Sequence, residues 1–281
     1  MSMPTPPPHR HDCRIDGQVA LVTAGANGIG EGIALALARQ GADVALADID
    51  ADNGARVVAA IQALGRQALF VRTDMAVTDQ VRSTVTQVAE HFGRIDILAN
   101  NAGGGRPVAF MEQSERSWRR HIELNLMSML TATQAAAEVM IAGQRGGCIV
   151  NIASSEALRA APGYAVYAAC KAGMVSFTRS MALELADHDI RVHAMAPDMI
   201  DTPGLRPYYA QASAADIDSR DRYIPMRRMG TMDEMGDIVA FLVSGMASYL
   251  NGVTIPVDGG ASASHGWTRA PGSRKWVLHH A

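Results

Sequence analysis

Seven short apolar, β-branched runs punctuate this chain: Val19–Thr23, Asp43–Ala47, Ala68–Arg72, Ile95–Ala99, Cys148–Ile152, Arg191–Ala196 and Val253–Val257. Between them lie longer segments, such as EGIALALARQ, NGARVVAAIQALG and DQVRSTVTQVAEHF, whose apolar residues recur at helical spacing. Strands that alternate with helices need crossover connections, which produce a parallel sheet covered on both faces. The expected fold is therefore α/β, a doubly wound parallel seven-stranded sheet with helices on both faces. Hydrophobic residues make up 48% of the 281 positions, enough for a substantial core. Sixteen Met against 5% aromatic residues predict a core of aliphatic chains and adaptable thioethers.

No internal repeat or second composition regime divides the chain, so one domain over residues 15–260 is the economical reading. A Pro-rich mobile leader is expected at 1–14 and an extension at 261–281. The leader, MSMPTPPPHRHDCR, has no apolar h-region, and no apolar run approaches the roughly 18 residues of a membrane span. A net charge of −3 without blocks of like charge gives no footprint for nucleic acid or an anionic membrane. Cys13, Cys148 and Cys170 are scattered, with no CxxC pair or His/Cys cluster, so no metal is expected. Free thiols fit a reducing compartment, and the reading is a soluble cytoplasmic protein. Two regions break the rhythm. Asp198 to about Ile224 is long, polar and aromatic, and reads as a loop at the carboxyl end of the sixth strand, where ligands bind in such sheets. The tail after Gly260 reads either as a disordered end or, because it carries Trp267 and Trp276, as an ordered arm.

After the first strand comes TAGANGIG, Thr23 to Gly30, leading directly into a helical pattern. Glycines let backbone approach a pyrophosphate, and a helix N-terminus offers unpaired N–H donors and positive potential. Asp48 closes the second strand about 20 positions later, where a carboxylate accepts both ribose hydroxyls and repels a 2′-phosphate. With no Arg or Lys beside it, the expected cofactor is NAD rather than NADP. A P-loop is rejected, because Gly30 is followed by Glu31 and Gly32 instead of Lys-Ser/Thr.

Downstream, YAACK places Tyr167 and Lys171 four residues apart, on one face of a helix. A free phenol has a pKa of about 10, and a cation within roughly 4–6 Å favours its ionised form. The pair reads as a base with its activator, provided a nucleotide binds beside it.

In order, these pieces resemble the short-chain dehydrogenase/reductase superfamily from about Gly17 to Gly260. They are Thr23–Gly30, Asp48, Asp74-Met75, Asn100-Asn-Ala-Gly103, Asn125, Ser154, Tyr167/Lys171, Pro197 to Thr202 and Val257-Asp-Gly-Gly260, with thirteen positions between Ser154 and Tyr167. The resemblance implies a single-domain Rossmann fold and hydride transfer between NAD(H) and a secondary alcohol or ketone. It implies Tyr167 as general acid/base and Ser154 as hydrogen-bond partner of the substrate oxygen. Lys171 would hold the nicotinamide ribose and lower the tyrosine pKa, and Asn125 would hold a water linking Lys171 to solvent. It implies cofactor contacts at Thr23, Gly25, Asn27, Gly28, Ile29 and Gly30, and at Asp48 and Ile49. Asp74 and Met75 would flank the adenine, Asn101 and Ala102 would lie near its ribose, and Gly103 would close the turn. Pro197, Ile200 and Thr202 would meet the cofactor near its carboxamide or phosphate.

The chain departs from the family pattern at several points. Ala24 stands where Gly is usual and predicts a slightly reshaped turn. Asp198 stands where a Pro-Gly pair is usual and must point away from the cofactor phosphates. His193 replaces a frequent Asn and reads as a satisfied interior histidine; Cys170 reads as packing. Candidate substrate contacts are Ser155, Glu156, Leu205 and Tyr208. Glu156 would either bind a substrate hydroxyl or face solvent, Arg106, Arg159 and Arg206 would meet an acidic group, and Tyr208 with Tyr209 would wall a ring. Trp118–Ile141 and Tyr164–Ala186 carry more small and apolar residues than one face requires, which predicts a homotetramer or homodimer. Two other readings compete: an NAD-dependent epimerase or dehydratase, which usually carries a different glycine spacing and a longer C-terminal domain, and a non-catalytic dinucleotide sensor, which would be expected to lose its base.

Overall fold

A computed structural model describes residues 12–278; the leader lies outside the described residues up to His11. In chain order the main elements are β1 (Val19–Thr23), α1 (Gly28–Arg39), β2 (Asp43–Asp48), α2 (Ala51–Ala63), β3 (Ala68–Arg72), α3 (Thr78–Phe92) and β4 (Ile97–Asn100). There follow α4 (Glu115–Ile122), α5 (Ser128–Gly143), β5 (Gly147–Ile152), α6 (Ala165–Glu184), β6 (Ile190–Pro197), α7 (Arg206–Tyr209), α8 (Ala214–Tyr223), α9 (Met232–Val243) and β7 (Thr254–Val257). The seven strands form one parallel sheet in the order β3-β2-β1-β4-β5-β6-β7. The order reverses between β1 and β4, and a crevice opens there at the carboxyl ends of the strands.

Helices cover both faces. On one, Ile33 and Leu37 of α1, Val57 and Ile61 of α2, and Met235 and Val239 of α9 pack on Val22, Val44, Leu46 and Val150. On the other, Val81, Val85 and Val88 of α3 and Ala132, Ala136 and Met140 of α5 pack on Leu21, Leu98 and Ile149. Met129 of α5 and Met174 of α6 close the layer beside Ala194 and Ala196. The core is aliphatic, with methionine as filler, as the composition requires.

Two sequence readings need correction, and the open choice for the tail is decided. The fourth strand starts at Ile97, two residues later than expected, and ends on Asn100. The stretch after β6 is not all loop. It contains α7 and then α8, whose N-terminus is fixed by a reciprocal Ser213/Asp216 capping box. The tail is an ordered arm rather than a disordered end. Thr268–Arg269 (β8) pairs antiparallel with Trp276–Val277 (β9), and the Arg269 guanidinium lies 4.5 Å from the Trp276 ring centroid. Thr268 Oγ1 donates to the Arg222 carbonyl, which fastens this arm to α8.

Helices α1 and α9 cross through glycines. A Cβ on Gly236 would come within 2.4 Å of the Gly32 carbonyl oxygen, and one on Gly32 within 2.2 Å of the Met232 carbonyl oxygen. Bare backbone here lets both helices lie on the sheet. Alanine in a free helix is favoured over glycine by roughly 0.5–1 kcal/mol. Gly236→Ala is nonetheless expected to destabilise the protein by about 1–3 kcal/mol, because the helices must separate. A urea midpoint that stays constant or rises would contradict this close crossing.

Candidate active site

The crevice is a cleft of about 500 Å³ bounded by the turns after β1, β2, β4, β5 and β6. At its floor the β1 and β4 turns are fastened together. Thr23 Oγ1 accepts from the amides of Asn101 (2.9 Å) and Ala102 (3.0 Å), and Asn101 Nδ2 donates to the carbonyls of Thr23 (3.1 Å) and Ala24 (3.0 Å). A Cβ on Gly30 would lie 2.0 Å from the Ala24 oxygen, so only glycine lets α1 begin this close to the turn. Ala24 adopts the left-handed conformation, at φ 49°. That conformation costs a non-glycine residue about 1–2 kcal/mol, opposed by the Asn101 clamp.

Helix α1 has no capping side chain. Asn27 turns its amide to Asp50 Oδ2 (3.1 Å), which leaves the first-turn N–H groups facing the cleft. At the end of β2, the Asp48 carboxylate accepts from the amides of Ala26 (2.9 Å) and Asp50 (3.0 Å). Asp50, which the sequence reading missed, adds a second carboxylate to this end of the cleft and also caps α2 through Asn53. Hydrogen bonds from Asn53 hold its carboxyl below the usual range.

At the other end, Ser154, Tyr167 and Lys171 share the cleft with Gly103, Gly104, Ile152, Ala153, Pro197, Thr202 and Gly204. Lys171 is buried, and its Nζ donates to the Ile152 carbonyl at 2.7 Å. Desolvation lowers its pKa from 10.5 to about 8. Its Nζ stands 5.8 Å from the Tyr167 ring centroid. The phenol is nevertheless pushed up, first by burial and then by Glu156 and Tyr164, with a hydrogen bond to Ser154 acting the other way. The direction is opposite to the one that the pairing with Lys171 alone predicts.

Asn125 lies in a π-helical turn, Glu123–Met127, joining α4 to α5. Its Oδ1 accepts from the Gly104 amide (2.8 Å), while Nδ2 donates to the carbonyls of Gly104 (3.1 Å) and His121 (3.0 Å). A Cβ on Gly103 would meet Asn125 Oδ1 at 2.7 Å and Lys171 Nζ at 3.0 Å. The buried amide therefore shapes the loop against which the lysine rests.

The remaining sequence candidates divide clearly. Asn27, Gly28, Ile29, Asp48, Ile49, Asn101, Gly103, Pro197 and Thr202 line the cleft. Thr23, Gly25 and Ala102 lie beneath it; a Cβ on Gly25 would strike Leu46. Asp74 bonds its own turn at Ala76, and Met75 is buried among the α3 and β3 side chains. Ile200 is turned into the core beside Met235 and pairs with Gly230, because its apolar side chain is better buried there than in the cleft. Of the substrate candidates, Ser155 is fully buried, Tyr208 is exposed at the rim, and Leu205 precedes α7. Glu156 is half-buried and paired with Arg159 at 2.8 Å. Asp198 also lines the cleft, with its carboxylate bonded to Arg159 (3.1 Å) and the Tyr223 hydroxyl (2.7 Å). Among the described residues, no cluster of His, Cys, Asp and Glu could hold a metal, and no helix is long and apolar enough to cross a membrane.

Residues 23–262 match the family described as enoyl-(acyl carrier protein) reductase. A 3-oxoacyl-[acyl-carrier-protein] reductase of Thermotoga maritima is 36% identical over 247 residues, 88% of this chain and 98% of the relative. The chain belongs to the short-chain dehydrogenase/reductase superfamily. It is an oxidoreductase of that superfamily, acting on alcohol- or ketone-like substrates. Two solved dehydrogenase structures frame the question of cofactor and substrate. A 7α-hydroxysteroid dehydrogenase complexed with NADH and 7-oxo glycochenodeoxycholic acid is 34% identical with TM-score 0.82, over 88% of this chain and 95% of that one. An Agrobacterium tumefaciens structure provisionally assigned as a 2-deoxy-D-gluconate 3-dehydrogenase holds NADP; it is 32% identical with TM-score 0.83, over 90% of this chain and 100% of that one.

His193 lies inside β6, fully buried, with Arg191 Nη1 at 3.0 Å from its Nε2. Burial, reinforced by Arg191, lowers its pKa from 6.5 to about 4. The folded value lies below the unfolded one, so the unfolded chain takes up the proton first as pH falls. Stability from this group is complete above about 6.5 and is lost down to about 4. His193→Asn is expected to remove an acid-side loss on the order of 2–3 kcal/mol. Urea unfolding at pH 7 and pH 4.5 would measure it, and an unchanged pH dependence would show that His193 does not titrate on unfolding.

Proposed function

We propose that this protein is an NAD-dependent oxidoreductase that interconverts a secondary alcohol and its ketone, with Tyr167 as the general acid/base. The observation that carries the reading is the shared cleft: an uncapped helix N-terminus and two carboxylates at one end, and Ser154, Tyr167 and Lys171 at the other. The residues fit a dinucleotide. Gly30 lets α1 begin directly against the β1 turn, and the α1 N–H groups there suit a pyrophosphate. Asp48 is oriented by two amides to accept ribose hydroxyls. Asp48 and Asp50 together disfavour a 2′-phosphate, which supports NAD over NADP.

Bound NAD⁺ supplies the hydride acceptor, and NADH the donor. In the oxidising direction the Tyr167 phenolate takes the hydroxyl proton as the carbon-bound hydrogen departs as hydride. In the reducing direction the phenol returns that proton to the carbonyl oxygen. Ser154 donates a hydrogen bond to the same oxygen and stabilises the charge that develops on it. Lys171 would hold the nicotinamide ribose and brings positive potential to the phenol. Asn125 fixes the Gly103–Gly104 backbone beside Lys171. Because burial raises the phenol, alcohol oxidation is expected to gain rate with rising pH. The apolar face of α5 and α6, with Leu130, Ile141, Phe177 and Met181 along one groove, supports assembly as a homodimer or homotetramer.

NADH formation across polyols, sugars, hydroxyacyl thioesters, steroids and cyclic alcohols tests the reading. Tyr167→Phe is expected to lower turnover by at least about a thousandfold while leaving NADH affinity within about threefold, since only the proton-transferring hydroxyl is removed. A variant that retained most of its activity would remove Tyr167 from the chemistry. Asp48→Ala is expected to narrow the NAD-over-NADP preference by about tenfold or more, measured as the ratio of Kd values. An unchanged ratio would mean that another group reads the ribose.

A further inference from the structure

Three loops meet beside the phenol through four side chains that the chemistry above leaves unused. Arg159 in the β5–α6 connection donates to Glu156 Oε1 at 2.8 Å and to Asp198 Oδ1 at 3.1 Å in the connection after β6. It also donates to the hydroxyl of Tyr223, the last residue of α8, and that hydroxyl donates to Asp198 Oδ2 at 2.7 Å. All four side chains are partly buried, and the Asp198 side chain is only 8% exposed. Glu156 is coupled directly to the catalytic turn, because its amide donates to Ser154 Oγ at 3.2 Å.

We propose that Arg159 is a positioning residue for the reaction, holding Glu156 and Asp198 in one ion-paired network so that their charges oppose ionisation of Tyr167 less than unpaired carboxylates would. This rests on the reading of Tyr167 as acid/base. A carboxylate near a phenol disfavours the phenolate, and a cation held 2.8 Å from that carboxylate cancels most of its field at a distance. Other groups face Tyr167 from each surrounding element. Lys171 and Tyr164 come from its own helix, Ser154 and Glu156 from the turn after β5, and His121 of α4 packs across Gly105. Among the described residues, Lys171 is the cation recorded against the ring, and its Nζ is already bonded to the Ile152 carbonyl. Of the two carboxylates, Glu156 belongs to the same turn as Ser154 and is the one tested.

Two substitutions should move the phenol in opposite directions. Arg159→Met frees Glu156 and is expected to shift Tyr167 ionisation upward by about one pH unit; Glu156→Gln removes the charge and is expected to shift it downward by a similar amount. Arg159→Lys should restore most of the wild-type value. The readout is the ultraviolet tyrosinate absorbance of each protein minus that of the same protein carrying Tyr167→Phe, titrated with NADH present, so no substrate need be known. Opposite shifts with lysine rescue establish the network. Equal or same-direction shifts overturn it, including the case in which Arg159→Met merely loosens the fold, because Glu156→Gln leaves the backbone contact to Ser154 in place. Activity in the Tyr167→Phe protein would instead defeat the acid/base reading on which the inference rests.

Discussion

The functional end of this molecule depends on the hydrogen-bonded junction between the β1 and β4 turns. Strand order reverses there, so no crossover helix covers the carboxyl ends of these two strands and backbone polar groups face an open crevice. Thr23 and Asn101 close the junction with four hydrogen bonds, and their side chains are spent on the fold rather than on a ligand. Gly30 lets α1 start against the same turn, which aims an uncapped helix end into the crevice. Through Gly104, Asn125 fixes the continuation of that turn beside Lys171. Shifting this junction would move both ends of the cleft together.

Electrostatics then divides the cleft in two. One end carries a helix N-terminus and two carboxylates oriented by backbone amides, a combination suited to a pyrophosphate and neutral ribose hydroxyls. The other carries a buried ammonium bonded to a single carbonyl and a phenol raised by desolvation. Neither group is matched to neutral pH on its own. An ammonium already depressed to about 8 is sensitive to further charge, and so is the phenol one helical turn away. Glu156 and Asp198 are both paired with Arg159 close to this end of the cleft.

Much of this was legible in the sequence. The seven apolar runs became the seven strands with shifts of one or two residues, because a strand buried on both faces must be continuously apolar. Glycine positions were legible for a similar reason, since a Cβ at Gly30 or Gly103 has nowhere to go. The capping box that starts α8 was also present, as Ser213 and Asp216, and was overlooked because polar residues around it resemble a loop. What sequence could not show is pairing across distance. Asp198 and Tyr223 lie 25 positions apart, and Arg159 is 39 positions from Asp198, so neither the pairing of Asp198 nor the occupation of Glu156 follows from local pattern. Ala24 is a case of tertiary override: its own preference is against φ 49°, and the Asn101 contact holds it there.

A crystal structure of the full chain soaked with NADH tests the central claim most directly. The account predicts adenosine ribose hydroxyls on Asp48, the pyrophosphate at the first turn of α1, and the nicotinamide ribose on Lys171 with the ring beside Tyr167. An adenosine half bound as described, with the nicotinamide directed away from Tyr167 and Lys171, would contradict it.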